Sequence, residues 1–177
     1  MKKLLWAWAL PLAMFLQPGC KKLNKLLTFN ISYQDTESVP PNTFIGVPLS
    51  FITGNISASD TSQFQTYNTA PGLIRHAYLK GMTLTILNPP GQTFNFVQSV
   101  SISLYTPSLG STRIAYLDSI PASSGNQLTL MTTNVDIQNY IKLDSFAIET
   151  GVVATQTTSQ TISIAINSEF QVNASPF

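Results

Sequence analysis

The sequence predicts an all-β domain, an antiparallel β-sandwich of about eight strands with at most one short helix. Apolar and polar residues alternate in several short stretches, as they do in strands that bury one face. Clusters of Pro, Gly, Asn and Ser separate these stretches, as is typical of tight turns. No long amphipathic helix lies between them, so a parallel sheet with crossover helices is not expected.

Four stretches show the clearest alternation and predict the main strands. Each places apolar side chains on one face and mostly Thr, Ser or Asn on the other. The apolar residues are Leu27, Phe29, Ile31 and Tyr33; Met82, Leu84 and Ile86; Val100, Ile102 and Leu104; and Ile162, Ile164 and Ile166. After the last stretch, Asn167 and Ser168 predict a change of face and a β-bulge before the strand continues through Phe170 and Val172.

Four weaker stretches complete the predicted set of strands. Residues 113–117, 127–131 and 146–153 are rich in apolar and β-branched residues. Residues 44–51 predict an edge strand, because Pro48 has no N–H to donate to a neighbouring strand. Turn sequences separate the strands at residues 40–42, 88–91, 107–110 and 123–126.

One short helix is predicted over residues 136–142. Asn134 or Asp136 is available as its N-cap. Its apolar residues have the i, i+3, i+4 spacing of one helix face and are Ile137, Tyr140 and Ile141.

The stretch from residue 57 to residue 75 has no clear period and predicts a long loop, with one turn of helix near residues 61–67. Long loops inside compact domains are often functional. Phe64 and Tyr67 lie here with few apolar neighbours in sequence. They are therefore candidate contacts in a partner-binding loop.

The N-terminal residues have the layout of a secretory signal. Lys2 and Lys3 precede thirteen residues without a charge, Leu4 to Leu16, and the only cysteine, Cys20, follows a Gly. A membrane-spanning helix needs roughly 20 apolar residues, so this segment is too short to cross a bilayer. The predicted parts of the chain are a cleaved signal peptide over residues 1–19, a tether over 20–26 and a β-sandwich domain over 27–177.

The segment from Leu16 to Cys20 resembles the lipobox of bacterial lipoproteins. In that family the cysteine after a small residue receives a diacylglycerol and an acyl chain such as palmitate. Gln17 and Pro18 depart from the Leu-Ala-Gly-Cys pattern, and relaxed boxes of this kind resemble those of Bacteroidota. The resemblance implies that Cys20 is lipidated and anchors the chain in a membrane, with about 0.8 kcal/mol from each buried CH₂ group.

The residues after Cys20 bear on the location, and they are Lys21, Lys22, Leu23, Asn24 and Lys25. In the lipoproteins that the chain resembles, an Asp directly after the cysteine retains the protein at the inner membrane. An acidic cluster there sends it to the cell surface. Neither feature is present, so the resemblance implies the outer membrane, with the domain facing the periplasm. Lysines beside anionic lipids add about 1 kcal/mol of attraction each.

The charge distribution argues against a nucleic-acid partner. Five of the nine basic residues lie within the first 25 positions. The remaining four, Arg75, Lys80, Arg113 and Lys142, are scattered and are outnumbered by eight carboxylates. A nucleic-acid binder needs clustered cations to replace counterions. With Cys20 acylated, the chain has no second cysteine for a disulfide.

From Leu27 onward the chain resembles a group of small Bacteroidota lipoproteins. The matching residues are 29–31, 84–94, 114–116, 140–142 and a closing strand. The chain is also similar to the β-sandwich of plant late-embryogenesis domains, in which a strand likewise runs into Asn-Pro. Both resemblances imply the fold, which is immunoglobulin-like or late-embryogenesis-like, and the first also implies the location. Neither implies an active site.

Catalytic, metal and cofactor motifs are not found in the sequence. It contains no nucleophile elbow, P-loop, dinucleotide glycine pattern or paired histidines. The only histidine, His76, has no acidic neighbour in sequence, and the surroundings of Asp60 lack the spaced ligands of an EF-hand. The acids Asp118, Asp136, Asp144 and Glu149 would serve glycoside hydrolysis if two converged. Turn and capping roles are the preferred interpretation for them.

These observations favour a lipid-anchored envelope protein that acts by binding or scaffolding, without catalysis or a cofactor. Its expected partners are the membrane, through Cys20, and a protein that the sequence does not identify. One alternative is a carrier of a hydrophobic ligand or lipid between the sheets, which requires a large apolar cavity. Another is a surface adhesin or pilus-like subunit, which requires an unpaired strand edge.

Overall fold

A computed structural model of the chain describes residues 27–41, 45–46, 48–52, 56–57, 61–143 and 145–176. Within these residues the chain forms ten β-strands, two α-helices and two short 3₁₀ helices. The strands are β1 Leu27–Val39, β2 Pro48–Ile52, β3 Ile56–Ser57, β4 Ile74–Asn88, β5 Val97–Thr106, β6 Gly110–Leu117, β7 Gln127–Thr129, β8 Met131–Thr132, β9 Ser145–Ala154 and β10 Ile162–Ala174. The α-helices are α1 Thr61–Thr66 and α2 Gln138–Ile141, and the 3₁₀ helices are Pro71–Leu73 and Phe94–Phe96.

The strands form two sheets that pack face to face. The first sheet has four strands in the order β1-β10-β4-β7. The second has the order β2-β9-β5-β6-β8, and β3 also pairs with β9. Every pairing between these strands is antiparallel. The predicted antiparallel β-sandwich is therefore confirmed.

The predicted strands correspond closely to the observed ones. The four clearest become β1, β4, β5 and β10. The predicted edge strand becomes β2, which pairs with β9 and with no other strand of the described residues. The stretch 127–131 does not form a single strand. It divides at Leu130, because β7 pairs with β4 in the first sheet and β8 pairs with β6 in the second.

The predicted change of face in β10 is wrong. Ser168 takes the inward position between Ile166 and Phe170 and is itself buried, so the alternation continues unbroken. Its hydroxyl donates a hydrogen bond to the backbone oxygen of Tyr33 over 3.3 Å, which satisfies the buried group. The irregularity lies on the neighbouring strand, where Lys80 is the additional residue of a bulge.

Both predicted helical positions are helical, so the expectation of at most one short helix was too low. Helix α1 places Phe64 against Phe29, with ring centroids 6.1 Å apart in an edge-to-face arrangement. Helix α2 buries Ile141, and the adjacent Ile137 is buried as well. Its start is tied to β4, since the N–H of Ile137 donates to the carbonyl of Ala77 over 2.8 Å.

The inner faces of both sheets and the two helices share one core. Burying a large apolar side chain contributes roughly 1.5 to 3 kcal/mol, so this core accounts for the stability without a disulfide. Its largest fully buried side chains include Phe64, Phe94 and Phe170. No helix among the described residues is long and apolar enough to span a membrane.

Candidate functional site

The outer face of the first sheet carries an unbroken row of uncharged polar side chains. Gln34 on β1 pairs with Asn167 on β10. Asn167 pairs in turn with Thr83 on β4, and Thr83 pairs with Thr129 on β7. Because neighbouring strands lie about 4.8 Å apart, the row spans roughly 14 Å. It therefore crosses the full width of this sheet.

A groove of about 470 Å³ lies along this row and is called the polar groove below. Its lining residues are Ser32, Tyr33, Gln34, Gly81, Met82, Thr83, Thr129, Asn167, Ser168 and Glu169. The outward-pointing members are exposed or half-buried, whereas Met82 and Ser168 form the buried floor. The groove is more open than enclosed, so it would contact one side of a bound ligand.

Gly81 opens the centre of the polar groove. It pairs with Glu169 on β10, in the row next to that of Thr83. No heavy atom of the described residues lies within 4 Å of the position that a Cβ would take there, and the backbone of Gly81 is not in the left-handed region. The missing side chain therefore leaves open space above the sheet and relieves no backbone strain.

One carboxylate borders the polar groove. The amide nitrogen of Asn30 donates a hydrogen bond to Oε1 of Glu169 over 2.7 Å, which holds the carboxylate on the outer face. The bulge residue Lys80 is exposed near the same position. Apart from these two groups, the outward-pointing groove residues among those described are uncharged.

A pair of rings lies on the same face of the sheet. Tyr78 pairs with Gln171, in the row next to that of Gly81. The rings of Tyr78 and His76 are nearly parallel, with an interplanar angle of 15° and centroids 6.1 Å apart. The half-buried ring of Tyr78 therefore adds an aromatic surface beside the polar groove.

His76 has an acidic partner that is distant in sequence. Its Nδ1 lies 2.7 Å from Oδ2 of Asp136, while the other oxygen accepts hydrogen bonds from the backbone N–H groups of Ala77 and Gln138. Burial raises the pKa of Asp136, but the hydrogen bonds from His76, Ala77 and Gln138 outweigh it, so the pKa lies below its ordinary value. The predicted N-cap is wrong, because Ile137 occupies the N-cap position of α2 and makes no side-chain cap hydrogen bond. Asp136 instead joins the start of α2 to β4 through these contacts.

The other candidate acids are held apart by different partners. Glu149 accepts hydroxyl hydrogen bonds from Ser111 and Ser50, over 2.6 and 2.9 Å, and these lower its pKa. Asp118 lies 3.7 Å from the guanidinium of Arg113 and is mostly exposed. Asp60 and Asp144 lie outside the described residues. Among the described residues, no group of three or more His, Cys, Asp or Glu side chains is arranged to hold a metal ion.

The space between the sheets contains a small cavity of about 30 Å³. Most of its lining is apolar, but Glu37 and Thr150 also contribute. Oε1 of Glu37 and the hydroxyl of Thr150 are buried without a hydrogen-bond partner among the described residues. Burial and the nearby charge of Asp35 raise the pKa of Glu37, partly opposed by a hydrogen bond from the backbone of Ser38.

The predicted partner-binding loop is partly wrong. Phe64 is 1% exposed and belongs to the core, so it presents no ring to a partner in this structure. Tyr67 is 42% exposed, and its ring stacks on Phe29 with centroids 4.2 Å apart. The predicted lipidation site, Cys20, lies outside the described residues.

A second surface groove, of about 420 Å³, lies where two turns meet at the end of the first sheet. The turn at residues 89–93 forms one wall, and Gly125 and Asn126 form the other. The N–H of Phe94 donates to the carbonyl of Gly125 over 3.0 Å, and the N–H of Ile86 donates to that of Asn126 over 2.9 Å. These backbone bonds explain the groove as a junction of turns.

The polar groove was not predicted from the sequence, although the alternation that forms its outer face was visible there. The alternation that places Leu84 and Ile166 inward also places Thr83 and Asn167 outward. What the pattern did not contain was the register that aligns these residues across four strands. The His76 and Asp136 pair had no sequence signal at all, because the two residues lie 60 positions apart.

Comparisons with known proteins add little to this picture. No protein-family model and no curated protein match the chain. Among solved structures, it is similar to that of Desmodium yellow mottle tymovirus, with 16% identity, a TM-score of 0.30 and coverage of 100% of this chain and 96% of that chain. It is also similar to the decameric BFDV capsid protein, with 11% identity and a TM-score of 0.41. That match covers 84% of this chain and 99% of the capsid chain. Similarity this low supports no conclusion about function.

Proposed function

We propose that the protein is a lipid-anchored envelope protein that acts as a binding module, held at the outer membrane through Cys20 and facing the periplasm. The observation that carries the binding role is the contrast between a filled interior and an open polar groove of about 470 Å³ on the outer face of the first sheet. A ligand therefore has access to the surface of the sandwich. The proposal includes no catalytic step.

The carrier alternative is less well supported. Small-molecule sites usually measure roughly 300 to 1,000 Å³. The interior cavity of about 30 Å³ is an order of magnitude smaller, and the buried oxygens of Glu37 and Thr150 face it. An acyl chain has no space there unless the sheets separate.

The adhesin alternative is favoured by one feature and opposed by two. Strand β1 is an edge strand thirteen residues long, and such edges accept added strands. However, Asp35 and Glu37 lie on its inward face, and inward charges on an edge strand resist strand addition. Near the other end, Phe64 and Tyr67 pack against Phe29 of the same strand.

The anchor is tested by replacing the one residue on which it depends. Cys20→Ser is expected to abolish incorporation of labelled palmitate and to release the protein from membranes, because lysines alone bind anionic lipid weakly. The matched control combines Cys20→Ser with Ser123→Cys, which places a cysteine in an exposed turn of the domain. That control should remain unlabelled. Persistent labelling of Cys20→Ser together with unchanged membrane retention would defeat the lipoprotein assignment.

The orientation needs a separate measurement. A domain that faces the periplasm is shielded by the outer membrane, so protease added to intact cells should leave it whole. Permeabilised cells serve as the positive control for cleavage. Degradation on intact cells would instead assign the domain to the cell surface.

A further inference from the structure

We propose that the polar groove binds a neutral glycan, recognised through its hydroxyl and acetamido groups. The inference rests on the binding role proposed above and names the ligand class of its site. The chemistry is shared by the glycan strands of peptidoglycan and by free polysaccharides. The test below distinguishes these two sources.

The groove side chains match the hydrogen-bonding capacity of a glycan. A sugar hydroxyl both donates and accepts, and so do the hydroxyl of Thr83 and the amides of Gln34 and Asn167. These three side chains lie in one row across adjacent strands. Glu169, held by Asn30 at 2.7 Å, adds a fixed acceptor at the edge of the row. A glycan strand laid along the row would therefore meet partners for its polar groups over roughly 14 Å.

The shape of the groove suits a flat sugar ring. Gly81 contributes no side chain, so the sheet surface is open beside Glu169, in the row next to that of Thr83. In the adjacent row on the other side, the half-buried ring of Tyr78 offers an aromatic surface. A tyrosine ring offers its apolar face to the C–H face of a sugar, and its hydroxyl can hydrogen-bond with the sugar's polar groups.

Other ligand classes fit the same surface less well. Protein interfaces are centred on aromatic, Met or Arg anchors, but the outward groove residues are Ser, Gln, Thr, Asn, Glu and Gly. Nucleic acid requires a cluster of cations, and Lys80 is the cation beside the groove among the described residues. A lipid chain requires an apolar lining, which the outward residues do not provide.

The experiment measures co-sedimentation of the full-length chain, purified in detergent, with intact peptidoglycan sacculi. Chitotetraose is the second probe, and its binding in solution is measured directly by isothermal titration calorimetry. Gly81→Thr fills the open centre of the groove with a residue that strands favour, so it should melt at or above the temperature of the unchanged protein and lose measurable binding. Thr83→Ala should weaken binding by up to about tenfold, the effect of one hydrogen bond.

The matched control is Thr85→Ala. Thr85 lies two positions along β4 on the same outer face but does not line the groove, so its removal should leave binding unchanged. If the protein binds sacculi and the groove variants abolish that binding, the proposal is supported, with peptidoglycan as the source of the glycan. Binding to chitotetraose alone, with the same pattern of variants, would support it with a free polysaccharide as the source.

The proposal is overturned if neither probe binds, or if Gly81→Thr binds as well as the unchanged protein. It is also overturned if a protein partner binds through these residues and neither glycan binds. None of these results depends on acylation. If the protein incorporates palmitate at Cys20 but binds neither glycan, the glycan proposal fails and the proposed membrane anchor stands.

Discussion

At the scale of single residues, Glu37 is the clearest conflict between the sequence pattern and the core. It occupies an inward position of β1, where Phe29 and Ile31 fill the core farther along the same strand. Its Oε1 is buried without a partner among the described residues. An unsatisfied buried polar group is destabilising, so Glu37 lowers the stability of the folded state when it is ionised.

The pH dependence of this effect follows from the direction of the shift. Burial raises the pKa of Glu37 above its ordinary value. A group of this kind stabilises the folded state fully below its unfolded pKa, and that contribution is lost as the pH rises through the folded pKa. Glu37→Gln does not titrate. We therefore expect the variant to be more stable than the unchanged protein at neutral pH, with a difference that shrinks as the pH falls below the ordinary range of Glu.

Urea unfolding at about pH 7 and about pH 3.5, on either side of the ordinary carboxyl range, measures the difference. The control is Asp118→Asn, because Asp118 is mostly exposed and faces Arg113. It should change stability little at either pH. An equal effect of Glu37→Gln at both pH values would mean that ionisation of the buried carboxyl is not the cause.

At the scale of elements, Asp136 attaches α2 to the first sheet. Its Oδ1 accepts from the N–H groups of Ala77 and Gln138, over 3.0 and 3.1 Å, so one carboxylate serves both β4 and the start of the helix. The helix itself contains four residues and is too short to be stable alone. Its position therefore depends on this carboxylate and on the buried Ile137 and Ile141.

Replacing this carboxylate should loosen the helix. Asp136→Ala is expected to cost about 1 to 2 kcal/mol, because the variant loses the hydrogen bonds that the carboxylate accepts from two backbone N–H groups. The pKa of Asp136 is lowered, so its stabilisation is present above the ordinary carboxyl range and is lost as the pH falls through the folded pKa. The difference between the variant and the unchanged protein should therefore decrease in acid. Urea unfolding at the two pH values checks this, with Asp118→Ala as the exposed control.

At the scale of the whole molecule, the periodicity of single strands predicted the architecture. Alternation of period two marks a face wherever it occurs, so β1, β4, β5 and β10 were predicted correctly from local residues. Features that depend on pairing were not predictable. The division of residues 127–131 between two sheets and the alignment of Thr83 with Asn167 both require the register of distant strands.

The same limit explains the error at Phe64. In sequence it lies in a stretch without a period, whereas in the fold α1 brings it beside Phe29. A six-residue helix leaves too short a pattern to show which face is buried. The candidate site was missed for a related reason, because a row of Thr, Asn and Gln across a sheet has no motif along the chain.

The two sheets should unfold together, and Leu130 is the place to test it. Thr129 pairs with Thr83 in the first sheet, Met131 pairs with Tyr116 in the second, and Leu130 lies between them at 5% exposure. Because both sheets share one core, we expect a single transition, as is usual for domains of up to about 150 residues. Leu130→Ala should lower the free energy of unfolding by roughly 2 to 5 kcal/mol and preserve that single transition.

The measurement is urea unfolding followed both by far-UV circular dichroism, which reports the strands, and by the near-UV signal of the tyrosines, which reports the packing around them. The matched control is Leu109→Ala, the same change at a leucine that is 42% exposed in a turn, with an expected effect within about 0.5 kcal/mol. Midpoints that coincide for the two signals, and that move together in Leu130→Ala, indicate one cooperative core. Separate midpoints would instead mean that the two sheets are independently stable, and the crossing at Leu130 would then be only a connection.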